Sequence, residues 1–218
     1  MQPKLVRKGI LFVLIGPTGS GKSTFCSRLL ADFSDSLRYS VSATSRPMRS
    51  GEIQGKSYHF FPRDEFNRKI EGGDFFEWEE NHGNLYGTLR STLIDGINSG
   101  RDLLFQIDIR GALKFKRAFP DNTVTVFIIP PSFEALQSRL SSRGTVDPVE
   151  VARRFDTARS EYSALVDLYG QSGQIDYLIV NQELDTAYQE IKSVVVSERA
   201  RYHRMDLPSV KDFCVVGE

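Results

Sequence analysis

Cysteine and histidine are nearly missing: Cys26, Cys214 and three scattered histidines are all that 218 residues contain. None of them has metal-ligand spacing, and two cysteines build no disulfide framework. A structural zinc site and a disulfide-stapled secreted scaffold are therefore excluded, and a reducing cytoplasm is the expected compartment. An excess of charge is missing too. The 28 basic and 28 acidic residues cancel, which argues against bulk binding to nucleic acid or to a membrane surface, both of which call for a basic surplus. No apolar stretch approaches the length of a membrane span. The start, MQPKLVRKGILFVLIG, imitates a secretory leader, but its apolar run from Ile10 to Ile15 is short for that role. Cleavage behind it would also destroy the glycine-rich loop that follows, so the run reads as a strand. No internal repeat or low-complexity linker is present.

What is there is a chain with 40% hydrophobic residues, enough for one domain with small insertions. Apolar β-rich runs recur at ILFVLI, LLFQID, TVTVFIIP and YLIV, each followed by a segment of helical character. They do not alternate with polar residues, which predicts strands covered on both faces: an α/β fold with a parallel sheet flanked by helices. Helix starts are expected near Gly21, Arg110, Ser132 and Asp185, with Ser132 and Asp185 as N-caps.

Two segments depart from this texture. Residues 38–90 carry short β-like runs (YSVSATS, SYHFF, FFEWEE), turn residues and one helix-like stretch, RDEFNRKIEGG, and are expected to form a small, mainly β insertion. Residues 139–169 open with RLSSRGTVDP and continue into a long helix bearing Arg153, Arg154 and Arg159. The expected division is a core of residues 1–37, 91–138 and 170–205, the insertion, a helical lid at 139–169, and a loosely attached tail at 206–218.

The sharpest motif is LFVLIGPTGSGKST, residues 11–24. Gly16, Pro17, Thr18, Gly19, Ser20, Gly21, Lys22, Ser23 and Thr24 form a G-x-x-x-x-G-K-S loop between a strand and a helix. Glycines at 16, 19 and 21 let successive backbone N–H groups turn inward toward phosphate oxygens, and the helix adds the positive end of its dipole. Lys22 is placed to reach the β and γ phosphates and Ser23 to ligate Mg²⁺. A glycine-rich turn with no ligand is the bland alternative, and the complete spacing in strand–loop–helix context argues against it. Nucleoside triphosphate binding is expected.

The acceptor is read from VSATSRPMRSGE (residues 41–52), SYHFF and EGGDFFEWEENHGNLYGT. Arg46 and Arg49, three apart in a Pro- and Gly-punctuated loop, suit a phosphate dianion together with the phenols of Tyr58 and Tyr86. Solvated surface arginines would look the same in isolation. Strict alternation in FFEWEE would turn Phe75, Glu77 and Glu79 to one face. A carboxylate at Glu77 can accept from guanine N1–H and the 2-amino group together, whereas adenine would meet it with an unpaired lone pair. An exposed strand carboxylate is the competing explanation.

With R-x-x-R-x-G-E and N-x-Y-G-T following the phosphate loop, the chain resembles the guanylate kinase family from about Leu11 to Arg201. The resemblance implies an ATP:GMP phosphotransferase that uses Mg²⁺, with Ser42, Thr88 and Asp108 among the base contacts. It also implies that Arg139, Arg143 and Arg154 are lid arginines acting on the transferred phosphoryl beside Lys22 and Arg46, and it places Asn181 near the adenine. Arg153 and Arg159 read better as a solvated helix face. One stretch departs from the family pattern, which has Asp-x-Asp followed by Gln-Gly at the end of the third core strand. FQIDIRG has Gln106 for the first Asp and Arg110 for the Gln, which touches the expected Mg²⁺-water acceptor. Two other readings stay open at this point. One is a guanylate-kinase-like interaction module without catalysis; the other is a phosphate-loop kinase of another phosphorylated small molecule. The oligomeric state is open.

Overall fold

The computed structural model describes residues 6–81, 83–141, 148–168, 171 and 173–206, with the side chains of 81, 140, 141 and 148–153 excepted. Strand β1 (Leu11–Ile15) runs through the glycine loop into α1 (Lys22–Asp32), and β2 (Leu37–Tyr39) follows. Then come β3 (Ala43–Thr44), β4 (His59–Phe60), α2 (Arg63–Glu71), β5 (Phe75–Asn81) and β6 (Asn84–Leu89). Next are α3 (Arg90–Asn98), β7 (Asp102–Gln106), α4 (Ile109–Ala118), β8 (Thr123–Ile129) and α5 (Phe133–Ser141). Helix α6 (Pro148–Asp167), β9 (Tyr177–Val180) and α7 (Leu184–Arg199) complete the regular elements.

Five strands form one sheet in the order β2-β7-β1-β8-β9, and every pairing in it is parallel. The lack of alternation in β1 has a direct cause. Phe12 and Leu14 enter one core with Phe25 and Leu29 of α1 and Ile191 and Val195 of α7. Leu11, Val13 and Ile15 enter the other with Leu93 of α3 and Ala112 and Phe115 of α4. Each face is covered by helices, so a polar side chain on either would be stranded. Burying one such Phe contributes about 2–3 kcal/mol of transfer free energy.

A second sheet, in the order β4-β3-β6-β5, has its own small core of Ala43, Phe66, Phe75 and Leu85. The rings of Phe66 and Phe75 stack 4.3 Å apart.

The structure corrects several expectations. Strand β2 was not anticipated; two of its three residues are exposed, so it carries little apolar signal, and it straddles the expected boundary at residue 38. Helix α5 likewise runs across the boundary at 139. Asp185 does not cap α7: the N-cap is Glu183, without a side-chain bond, and Asp185 pairs instead with Arg28 at 2.7 Å. Ser132 does accept from Ala135 N at 3.1 Å. Helix α4 begins at Ile109, capped by Asp108, whose Oδ1 accepts from Gly111 N at 2.7 Å.

Strict alternation in FFEWEE also fails. The register shifts between Phe75, which opposes Leu89, and Glu77, which opposes Thr88. Phe76 is the extra residue of a bulge, which turns Phe75 into the small core and Glu77 to the opposite face. Phe76 itself reaches the main core, 4.7 Å from the Phe115 ring.

Candidate functional site

The phosphate loop leaves the C-terminal end of the central strand. Gly16, Gly19 and Gly21 have φ of 133°, 92° and 103°, a region that side chains with a Cβ avoid. Space demands glycine as well. A Cβ at Gly16 would lie 2.1 Å from Ile128 O, and one at Gly21 would lie 2.5 Å from Asn181 Nδ2. No side chain caps α1 at its start, which leaves its first turn of N–H groups to a ligand. Pro17 and Ser20 are buried, and Thr18, Ser23 and Thr24 are exposed along the loop and first helical turn.

Lys22 Nζ donates to Gly16 O and, at 3.0 Å, to Pro17 O, so the ammonium folds over the loop. Ser23 Oγ donates to Gln106 Oε1 at 3.1 Å. A hydroxyl and an amide oxygen thus converge at the end of β7. Hard neutral oxygens of this kind suit a largely hydrated Mg²⁺ held by one side chain and the nucleotide phosphates. Beside them, burial pushes the Cys26 thiol up to about 12 against the opposing Lys22 charge, which keeps it neutral and unreactive.

Asn181, which the resemblance puts near the adenine, lies against the phosphate loop. It is 3% exposed, and its Nδ2 donates to Ser20 O at 2.8 Å. Arg139 of α5 donates to Asn181 O at 2.9 Å. Asn181 braces the loop from the end of β9, whose parallel pairing with β8 brings it there, and Arg139 holds Asn181 from α5. Arg154 is half-buried on α6. Arg159 is exposed, 3.8 Å from Asp156 and over the Phe133 ring. Arg143 and the side chain of Arg153 lie outside the described residues.

Next to the loop is a cavity of about 530 Å³ lined by Ser42, Glu77, Tyr86, Thr88, Gln106 and Asp108, with Arg110 and Lys114 of α4. Pairing of β3 and β5 with β6 brings Ser42 and Glu77 to Tyr86 and Thr88. Gly87 between them is required by contact, since a Cβ there would lie 2.8 Å from Glu77 O and 2.9 Å from the Phe75 ring. Burial raises the Glu77 carboxyl above the ordinary carboxylate range; Lys114 opposes this, and Asp108 and Glu79 add to it.

Arg46, Arg49 and Tyr58 do not line that cavity. Arg46 forms a two-pronged bond to Glu52, 2.7 and 3.0 Å, with Tyr58 and Phe60 rings within 5.6 Å of its guanidinium. The Tyr58 and Tyr86 rings meet edge-on at 6.1 Å, joining this arginine to the cavity wall. Arg49 donates its backbone N–H to Glu52 at 2.7 Å, and the residue itself is exposed.

Three residues escaped the sequence reading. Glu52 stood inside the quoted R-x-x-R-x-G-E motif without a role, yet one carboxylate orders both arginines. Lys114 could have been found as the i+4 neighbour of Arg110 on a helix. Glu161 lies on the α6 face of Arg154 and Ala158 by helical spacing, with a buried Oε2 that lacks a hydrogen-bond partner among the described residues.

A parallel sheet with a glycine-rich phosphate loop at the C-terminal end of its middle strand, and helices on both faces, defines the class: an α/β protein of the phosphate-loop nucleotide-binding fold. Within that class the chain belongs to the guanylate kinase family, whose sequence model matches residues 8–198. It is 44% identical over 199 residues to the guanylate kinase of Syntrophotalea carbinolica, covering 91% of this chain and 90% of that one. It is 40% identical to that of Thermotoga maritima, with 90% and 91% covered. The crystal structure of guanylate kinase from Anaplasma phagocytophilum superposes with a TM-score of 0.66 at 31% identity, covering 92% of each chain. Among the described residues no helix is long and apolar enough to cross a membrane.

Proposed function

We propose that this protein transfers the γ-phosphoryl group of ATP to GMP or dGMP, giving ADP and the nucleoside diphosphate. The observation that carries the reading is continuity: Gln106 touches Ser23 of the phosphate loop and also lines the cavity that holds Glu77. A donor phosphate on the loop and a base against Glu77 therefore occupy one connected space. In it, Glu77 accepts from guanine N1–H and the 2-amino group, with Ser42, Thr88 and Asp108 as further base contacts. Arg49, Tyr58 and Tyr86 take the acceptor phosphate, and Glu52 holds Arg46 in position beside them. Lys22 and the loop N–H groups bind the donor phosphates; Arg139, Arg143 and Arg154 supply cations around the moving charge. No general base is needed, because the acceptor phosphate is largely ionised near neutral pH.

Mg²⁺ would be held by Ser23 and the ATP phosphates, with Gln106 accepting from a bound water. When bound it neutralises charge on the transferred group. The protein works in the cytoplasm on small nucleotides, without nucleic acid or membrane.

Two experiments test this reading. Glu77→Gln keeps one acceptor and opposes the other guanine donor with an NH₂ group. It is expected to cost about 2–4 kcal/mol in transition-state stabilisation for GMP, measured as kcat/KM across GMP, AMP and other monophosphates. Unchanged GMP kinetics would remove the guanine-reading role. Gln106→Asp restores a charged acceptor beside Ser23 and is expected to lower the Mg²⁺ concentration for half-maximal rate at fixed ATP. Identical titrations would place Gln106 outside the metal's surroundings. A parent inactive at every Mg²⁺ level, yet binding GMP, would favour an interaction module.

A further inference from the structure

Of the four cations on helix α4, Arg110 and Lys114, one turn apart, line the cavity that holds Glu77. The same cavity gathers three carboxylates, Glu77, Glu79 and Asp108. Asp108 is engaged as the cap of α4. Glu77 is half-buried, and among the described residues no side-chain hydrogen bond and no ion pair within 4.0 Å reaches its carboxylate. A carboxylate in that position is costly unless an opposite charge faces it.

We propose that Lys114 is the positioning residue of the base pocket: its ammonium faces Glu77 and preserves the pair of acceptor oxygens that guanine needs. The inference rests on the guanine-reading role of Glu77. Its physical basis is the charge balance of the cavity wall. The wall around Glu77 is lined by Arg110 and Lys114 from α4, by Asp108 from the turn before α4, by Glu79 from its own strand and by Tyr86 from β6. Lys114 is the foremost charge opposing the burial of Glu77, while Asp108 and Glu79 reinforce that burial. Without Lys114, three carboxylates would share the cavity with one cation.

The sign follows from the chemistry of the base. Protonated Glu77 places an O–H donor where guanine presents N–H donors, so GMP binding weakens as pH falls through the Glu77 titration. Removing Lys114 favours the protonated form and moves that loss to higher pH. Lys114 is exposed, so its influence is screened by salt and its removal leaves the core intact.

The test is Lys114→Met against the parent, with KM for GMP followed from about pH 5.5 to 8.5. The GMP phosphate titrates near about pH 6 in both proteins and cancels in the comparison. The expected result is a rise in KM at the acid end, relative to the alkaline end, roughly three-fold beyond that of the parent. The change appears in KM for GMP and not in KM for ATP, shrinks in high salt, and is reversed in Lys114→Arg. Parallel profiles overturn the inference, and so does a loss equal at every pH, which would mean that Lys114 touches the nucleotide directly. Glu77→Gln, run alongside, separates the two levels. If it leaves GMP kinetics unchanged, the guanine-reading role itself fails. If it weakens GMP while Lys114→Met keeps the parent profile, only the role of Lys114 fails.

Discussion

Lys22→Ala is expected to reduce kcat for GMP phosphorylation by about 10²–10³-fold or more, with GMP binding and the fold nearly unchanged. The ammonium lies over the loop, donating to Gly16 O and Pro17 O, where the donor phosphates would pass their charge. Its removal leaves the other supports of the loop in place. The glycine conformations, the brace from Asn181 to Ser20 O and the buried β1 do not depend on it. Turnover, thermal unfolding and calorimetric GMP titration on one preparation check the three parts together. A variant turning over at close to the parent rate would mean that the loop does not cradle the transferred group.

Asp102→Ala is expected to be the most damaging substitution for stability, at about 3–5 kcal/mol. Asp102 is 0% exposed and accepts from Arg7 at 2.7 and 2.8 Å, from Arg199 at 2.7 Å and from Ile10 N at 2.9 Å. One carboxylate therefore ties the chain before β1 and the end of α7 to the start of β7. Without it the Ile10 N–H loses its acceptor, and the guanidinium groups of Arg7 and Arg199 lose their carboxylate and keep only Lys8 O and Ser36 Oγ, in a largely dry site. For a chain of this size the melting temperature should fall by about 10–15 °C. Asp102 and Gln106 lie at opposite ends of β7, about 13 Å apart, so kcat measured below the melting transition should change little. A fall of only a degree or two would show that the arginines find water instead.

How legible a feature is in the sequence depends on how far apart its partners lie along the chain. The phosphate loop was legible because its chemistry is contiguous: three glycines, a lysine and a serine within eight positions. The buried strands were legible from unbroken apolar runs. Asp102 was not legible, since nothing near it in the chain announces Arg7 or Arg199, about a hundred positions away on either side. The bracing of the loop by Asn181 was not legible either, because it depends on β9 lying parallel to β8. The resemblance nominated Arg46 for phosphate, and the structure adds that Glu52 already holds its fork.

Strand Phe75–Asn81 marks the boundary most clearly. Its composition predicted a strand, and a strand forms. Which face Glu77 takes was decided by a bulge at Phe76, because the Phe115 ring on one side and the Phe66–Phe75 stack on the other both claim an aromatic from the same edge. An alternating pattern read along the chain carries no information about competing cores. Local stereochemistry and hydrophobicity, which act between neighbours in sequence, were enough for the class of fold and the phosphate loop. The cavity beside the phosphate loop, the Asp102 hub and the placing of Lys114 in the same cavity wall as Glu77 arise from packing between distant segments, where excluded volume and buried charge choose among arrangements that the chain alone leaves equal.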